Sequence, residues 1–123
     1  MAGDAMKRDD AHVLDVATTL ERLAGDEELF GEIAQILLQT APDQLNTIGA
    51  ALAANDLKRT YEEAHSLKGA VAAFEAPEVL SCVAAIERHA KGQDGAAAAA
   101  AFAAAGPLVN ELLGELAAFV PAA

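Results

Sequence analysis

Apolar positions in this chain recur every three or four residues from about residue 13 to residue 119, and nowhere do they alternate with period two. That spacing puts one face of each helix against a core and leaves no segment that reads as a strand. The first stretch, 11–23, carries Val13, Leu14, Val16, Ala17, Leu20 and Leu23 and ends at Gly25. Asp26 then reads as the N-cap of a second helix reaching Thr40, with Glu27 and Glu28 against its positive end. Leu29, Phe30, Ile33, Ile36 and Leu37 are its expected buried positions. Pro42 suits the first turn of a third helix, 42–54, striped by Leu45, Ile48 and Leu52.

Asp56 caps the next helix, expected to run to Phe74 with Leu57, Tyr61, Ala64, Leu67, Val71 and Phe74 facing inward. Pro77 disfavours helical geometry at Ala76, so another helix starts at 77 and continues to Lys91, with Gly92 as its stop. Its apolar face is Val79, Leu80, Val83, Ile86 and Ala90. Asp94 caps a last helix in which Phe102, Val109, Leu112, Leu116 and Phe119 point inward. Gly106-Pro107 is expected to kink or split that helix, because proline lacks the backbone donor and clashes with the preceding turn. Short connections make amphipathic neighbours antiparallel. The pattern therefore predicts an all-α fold: an antiparallel up-and-down four-helix bundle with a short N-terminal helix packed across it. Residues 1–10 read as a flexible N-terminus, and 11–123 as a single helical domain.

Composition narrows the function. A chain of 123 residues is one domain, too small to hold a nucleotide-binding kinase module as well. No glycine-rich nucleotide loop occurs, so no kinase or ATPase activity is expected. A formal net charge of −11 argues against nucleic acid as a partner, since polyanion binding needs a concentrated basic surface. Lys58, Arg59, Lys68, Arg88 and Lys91 nevertheless form a basic island on this acidic background. Cys82 has no second cysteine to pair with, and its spacing with Val79 and Ile86 suits a small apolar role. The charged start lacks the apolar stretch of a signal peptide, and the alanine-rich run 96–105 is too short to span a bilayer. A cytoplasmic protein with no membrane partner is expected.

The chemistry concentrates in Glu62-Glu63-Ala64-His65-Ser66-Leu67-Lys68-Gly69-Ala70. His65, Lys68 and Gly69 are three and four residues apart, hence neighbours on a helix surface. On a helical wheel His65 lies about 100–120° from the centre of the buried stripe, at the edge of the core. Lys58, Glu62, Gly69 and Ala72 share that flank. A glycine inside a helix costs about 1 kcal/mol relative to alanine, and a reason for it is close approach of another protein to the imidazole. By spacing alone, His65 also reads as an incidental surface histidine, Lys68 as a solvated lysine and Gly69 as a tolerated defect. His12 and His89 stand in no comparable context.

Ala64-His65-Ser66-Leu67-Lys68-Gly69, with Asp56 before it and Ala76 and Leu80 after it, resembles the core motif of histidine-containing phosphotransfer (HPt) domains. The similarity extends through Leu23-Ala24-Gly25-Asp26-Glu27-Glu28-Leu29, Ala41-Pro42, Ala51-Leu52 and Ile86-Glu87, over residues 14–95. It implies a phosphorelay carrier in which His65 accepts phosphate from, and donates it to, receiver-domain aspartates of a two-component system. Lys68 would offset phosphate charge, and Gly69, Lys58, Ala72 and Glu62 would border the partner. Glu87 falls where the family can place an acidic or amide group near the histidine; an ion pair with Arg88 or Lys91 is the other reading. The partners implied are a response-regulator receiver domain, a hybrid sensor histidine kinase, or both. A monomer with no cofactor of its own is expected, Mg²⁺ belonging to the receiver. By the same analogy the ring nitrogen remote from the backbone takes the phosphate.

Two positions depart from the family pattern: Glu75 stands where glycine is usual, and Ala73 replaces a common polar residue. If the turn requires a positive φ at 75, glutamate costs about 1–2 kcal/mol there. Two other functions fit parts of the sequence. One is a helical adaptor that binds receivers without phosphorylation. The other is a metal-binding bundle suggested by Glu62-x-x-His65, although no second Glu-x-x-His accompanies it.

Overall fold

The computed structural model describes residues 12–120; the expected flexible segment 1–10 lies outside the described residues. Five α-helices fill this range: α1 (Val16–Arg22), α2 (Glu27–Ala53), α3 (Leu57–Val71), α4 (Pro77–Lys91) and α5 (Gly95–Leu116). A 3-10 turn, Ala117–Phe119, follows α5, and no strand occurs among the described residues. The four long helices close a ring, α2 on α3, α3 on α4, α4 on α5 and α5 back on α2. The expected four-helix bundle with a short N-terminal helix is the observed architecture.

Local chemistry sets the corners. Asp15, Asp26, Asp56 and Asp94 each accept a hydrogen bond at 3.0 Å from the backbone N–H three residues on, capping α1, α2, α3 and α5. Each such cap contributes about 1 kcal/mol. Three of these aspartates follow a left-handed turn. Ala24, Asn55 and Gln93 have φ of 57°, 54° and 62°, and the bonds Gly25 N–H to Leu20 O, Asp56 N–H to Ala51 O and Asp94 N–H to His89 O close the helices before them. Gly92, the expected stop, has an ordinary φ of −78°, and Gln93 takes the left-handed position instead.

The core is built from Phe30, Leu37, Ile48, Leu67, Val71, Phe74, Val83, Ile86, Val109, Leu112 and Leu116, all buried. Full burial of such a side chain is worth about 1.5–3 kcal/mol. Ala34, Ala41, Ala64, Ala98 and Ala105 are fully buried between them, letting the helix backbones pack closely. On α3 the inward stripe is Thr60, Ala64, Leu67 and Val71, with Phe74 buried just past the helix end. Leu57 and Tyr61, expected inside, are only half-buried, because Thr60 turns in and bonds its hydroxyl to the Asp56 carbonyl. Cys82 is a half-buried free thiol against the core.

Both interior prolines were expected to interrupt helices, and neither does. α2 runs unbroken through Pro42, joining the two helices anticipated at 27–40 and 42–54, and α5 runs unbroken through Pro107. Each proline is exposed, and buried side chains grip its helix on both sides: Leu37, Ala41 and Ile48 around Pro42, Ala105 and Val109 around Pro107. Packing thus outweighs the roughly 3 kcal/mol that an interior proline costs. Leu29 and Ile36 face outward at 38% and 59% exposure, and Phe119 is 42% exposed while its ring lies 5.0 Å from that of Phe30. By length and composition the segment Gly95–Phe119 is apolar enough to cross a bilayer, contrary to the sequence reading. Here one face of that segment, through Ala98, Ala105, Val109 and Leu112, packs into the bundle.

The end of the bundle near α1 is tied by polar contacts. Helix α1 starts at Val16, not at 11, because Asp15 caps it and the preceding residues are held otherwise. Val13 N–H and Leu14 N–H donate to the Glu115 carboxylate at 2.9 and 3.1 Å. Glu75 accepts from Asp15 N–H through its carbonyl at 2.8 Å, donates its own N–H to Thr19 Oγ1 at 2.9 Å, and binds Arg22 through its carboxylate at 3.1 Å. Its φ is not positive, so the turn does not need the glycine found in the family pattern. The Ala76 N–H to Phe74 O bond and Pro77 at the start of α4 shape the turn instead.

Candidate functional site

Helix α3 presents its outer face between α2 and α4, and His65 stands on it. The imidazole is held from two sides. Tyr61, one turn earlier, stacks on the ring with centroids 5.9 Å apart and planes 16° off parallel. On the other side Glu87 of α4, only 9% exposed, puts Oε2 2.5 Å from His65 Nδ1. Its second oxygen, Oε1, accepts from Lys68 Nζ at 2.5 Å. One carboxylate therefore joins a histidine and a lysine that are neighbours on α3, across 22 and 19 positions of chain.

The contact fixes a proton. A carboxylate oxygen only accepts, so Nδ1 of the neutral ring must carry the hydrogen and Nε2 keeps its lone pair. The His65 side chain remains 61% exposed, whereas that of Glu87 is 12% exposed and that of Lys68 34%. The site is an open nucleophile on a partly enclosed acidic support. The Lys68 ammonium, as the leading cause, holds the Glu87 carboxyl below the usual carboxylate range; burial pushes it upward, and the His65 contact lowers it further.

Gly69 lies one turn beyond His65, and a Cβ built on it meets no atom within 4 Å. Nothing among the described residues requires glycine there. Lys58 and Glu62 are exposed on the same flank, and Ala72 is half-buried at the end of α3, its carbonyl taking a hydrogen bond from Arg22 at 3.0 Å. Glu62 makes no contact with His65 among the described hydrogen bonds, and no group of three or more His, Cys, Asp and Glu side chains converges among the described residues. The pairing of Glu87 with Arg88 or Lys91 does not occur; its partners are His65 and Lys68. Arg59 is drawn to Glu63 at 3.8 Å, so the basic island is partly neutralised on its own helix.

Two contributors were not assigned a role from sequence. Tyr61 read as a core residue, although its spacing of four from His65 is the signal for a stacked pair. Gln44 of α2 donates to Ser66, next to the histidine, at 3.0 Å, and its buried Oε1 has no partner among the described residues. No local pattern foretells a contact across 22 positions.

The family model for the Hpt domain matches residues 32–119, which include His65, Lys68, Gly69 and Glu87. The chain belongs to the histidine-containing phosphotransfer domain family. That membership implies histidine phosphotransfer in two-component phosphorelays, where such domains act as carriers and not as kinases. Comparisons with curated proteins and with solved structures give no match.

Proposed function

We propose that His65 is the phosphoryl carrier of this domain, exchanging phosphate through Nε2 with the aspartate of a receiver domain. The observation that supports this is the Glu87 contact: it holds the hydrogen on Nδ1 and leaves an exposed lone pair on Nε2. In the transfer, Nε2 attacks phosphorus of the partner's aspartyl phosphate. The N–P bond forms as the P–O bond breaks, and the aspartate leaves as a carboxylate with the bonding electrons. Nδ1 keeps its hydrogen, and Glu87 faces the positive charge that develops on the ring. The return step reverses these changes with no proton exchanged with solvent.

Transition-state charge is met by groups already in place, which is how phosphoryl transfer is chiefly accelerated. Lys68 supplies a cation on this side, and the Mg²⁺ of the reaction belongs to the receiver. Open space over Gly69 leaves room for the rim of that partner's acidic pocket. One bundle holds His65, Lys68 and Glu87 together, so the reading requires no second copy. Response regulators and hybrid sensor kinases, both built around receivers, are the partners it implies.

The test is incubation with a phosphorylated receiver, or with potassium phosphoramidate as a small donor. An acid-labile, base-stable label mapping to His65 is the expected result. A label that persists in His65→Gln, or that maps to His12 or His89, overturns the assignment.

A further inference from the structure

We infer that Glu87 and the phosphoryl group compete for one cation: Lys68 is bonded to Glu87 while His65 is bare, and changes partner when Nε2 is phosphorylated. The inference rests on the reading of His65 as the carrier and concerns how firmly that carrier holds its cargo. Lys68 meets Glu87 at 2.5 Å, and no other ion-pair partner for it occurs among the described residues. Nδ1 points at Glu87, so Nε2 points away from it, and phosphate bound there places new negative charge within one helical turn of Lys68, three residues on along α3.

The two ends of the pair differ in freedom. Glu87 is 12% exposed and wedged between α3 and α4, bound through both oxygens. Lys68 is 34% exposed on a flexible four-carbon stem, so its ammonium can swing while the carboxylate stays. The lysine–phosphate contact is therefore offset by loss of the lysine–glutamate bond. Phosphate on His65 is held less tightly than Lys68 alone would hold it, which suits a carrier that must give it up.

Atoms balance without a further reactant. Phosphorus passes from the donor's oxygen or nitrogen to Nε2, Lys68 keeps its three protons, and Glu87 keeps the Nδ1 hydrogen as its partner. An amide at 87 separates the effects. Its carbonyl oxygen still accepts from Nδ1–H, but a neutral acceptor competes weakly for the ammonium.

The experiment is a double-mutant cycle on His65 phosphorylated by potassium phosphoramidate, with the phosphohistidine lifetime followed by ³¹P NMR. Glu87→Gln should lengthen the lifetime. Lys68→Ala should shorten it less than about twofold with Glu87 present, but about threefold or more in the Glu87→Gln background. Equal effects of Lys68→Ala in both backgrounds, or a shorter lifetime in Glu87→Gln, overturn the competition. The resting bond is tested apart from phosphorylation by thermal unfolding of the same four proteins. Non-additive shifts in Tm support the pair, and additive shifts overturn it even if His65 takes no label. A wild-type protein that takes no label at His65 overturns the carrier reading, and the unfolding cycle still judges the pair.

Discussion

Glutamates hold together two regions of this molecule in opposite ways. At the end of the bundle near α1, Glu115 and Glu75 bind groups that never change: the N–H of Val13 and Leu14, the Thr19 hydroxyl, the Asp15 N–H and the Arg22 guanidinium. At the α3–α4 seam, Glu87 binds two side chains, an imidazole and an ammonium, each with another state open to it. A carboxylate on backbone amides satisfies donors that would otherwise be stranded, and so builds rigidity. A carboxylate on a nucleophile sets which nitrogen is free. The seam can give way to a partner because the clasp does not need to.

The sharpest break of that comparison removes the nucleophile. His65→Gln should abolish acid-labile labelling completely while leaving the Tm close to that of wild type, since the ring is mostly exposed and stacked only on Tyr61. A large loss of stability would mean that the seam is structural as well.

Gly69 comes next. Gly69→Gln fills the open space beside His65, so transfer from a phospho-receiver should fall about tenfold or more, the effect of some 1.4 kcal/mol. Labelling by potassium phosphoramidate should persist, and the helix should gain up to about 1 kcal/mol of stability. Receiver transfer at the wild-type rate would leave the glycine with no role in docking.

Much of this division could be read from the chain, and what could not has physical causes. Asp26, Asp56 and Asp94 announce their helices because capping is local, and His65, Lys68 and Gly69 share a face because helix spacing is local. Pro42 and Pro107 misled because the local rule was outweighed by packing on both sides of each proline. Ile36 has the right spacing for burial, yet α2 turns it outward to 59% exposure. Glu87 could be placed near the histidine only through the family resemblance, because its contact depends on how α3 meets α4, and Tyr61 read as core because its spacing does not say how far α3 is rotated. Glu75 looked like a departure from a required glycine, and it proved to be an anchor for α1.

The clasp is broken by Glu115→Ala. That change strands the N–H groups of Val13 and Leu14, both buried residues, at a cost of about 1–3 kcal/mol. For a domain of this size the Tm should fall by roughly 4–15 °C. The folded protein should still take label at His65 as wild type does. An unchanged Tm, or a folded protein that no longer labels, would erase the distinction between the two regions.

The smallest effect is the pH dependence of the seam itself. Lys68 holds the Glu87 carboxyl below its ordinary range, so the folded value lies below the unfolded one. Between those values the unfolded chain binds more protons, and stability rises with pH. The contribution is complete above the unfolded carboxylate value, about 4.3, and is lost as pH falls through the folded value. His65 and Lys68 both face Glu87, so the measurement belongs in the His65→Gln background, where Lys68 is the one described ion-pair partner left to the carboxylate. There, the stability advantage of Glu87 over Glu87→Gln should be at most about 1 kcal/mol near neutral pH, typical of a partly exposed pair. Denaturant unfolding at a series of pH values should show that advantage shrinking toward zero in acid. An advantage that stays constant, or grows, as pH falls would mean that the carboxylate is not what holds Lys68 to the seam.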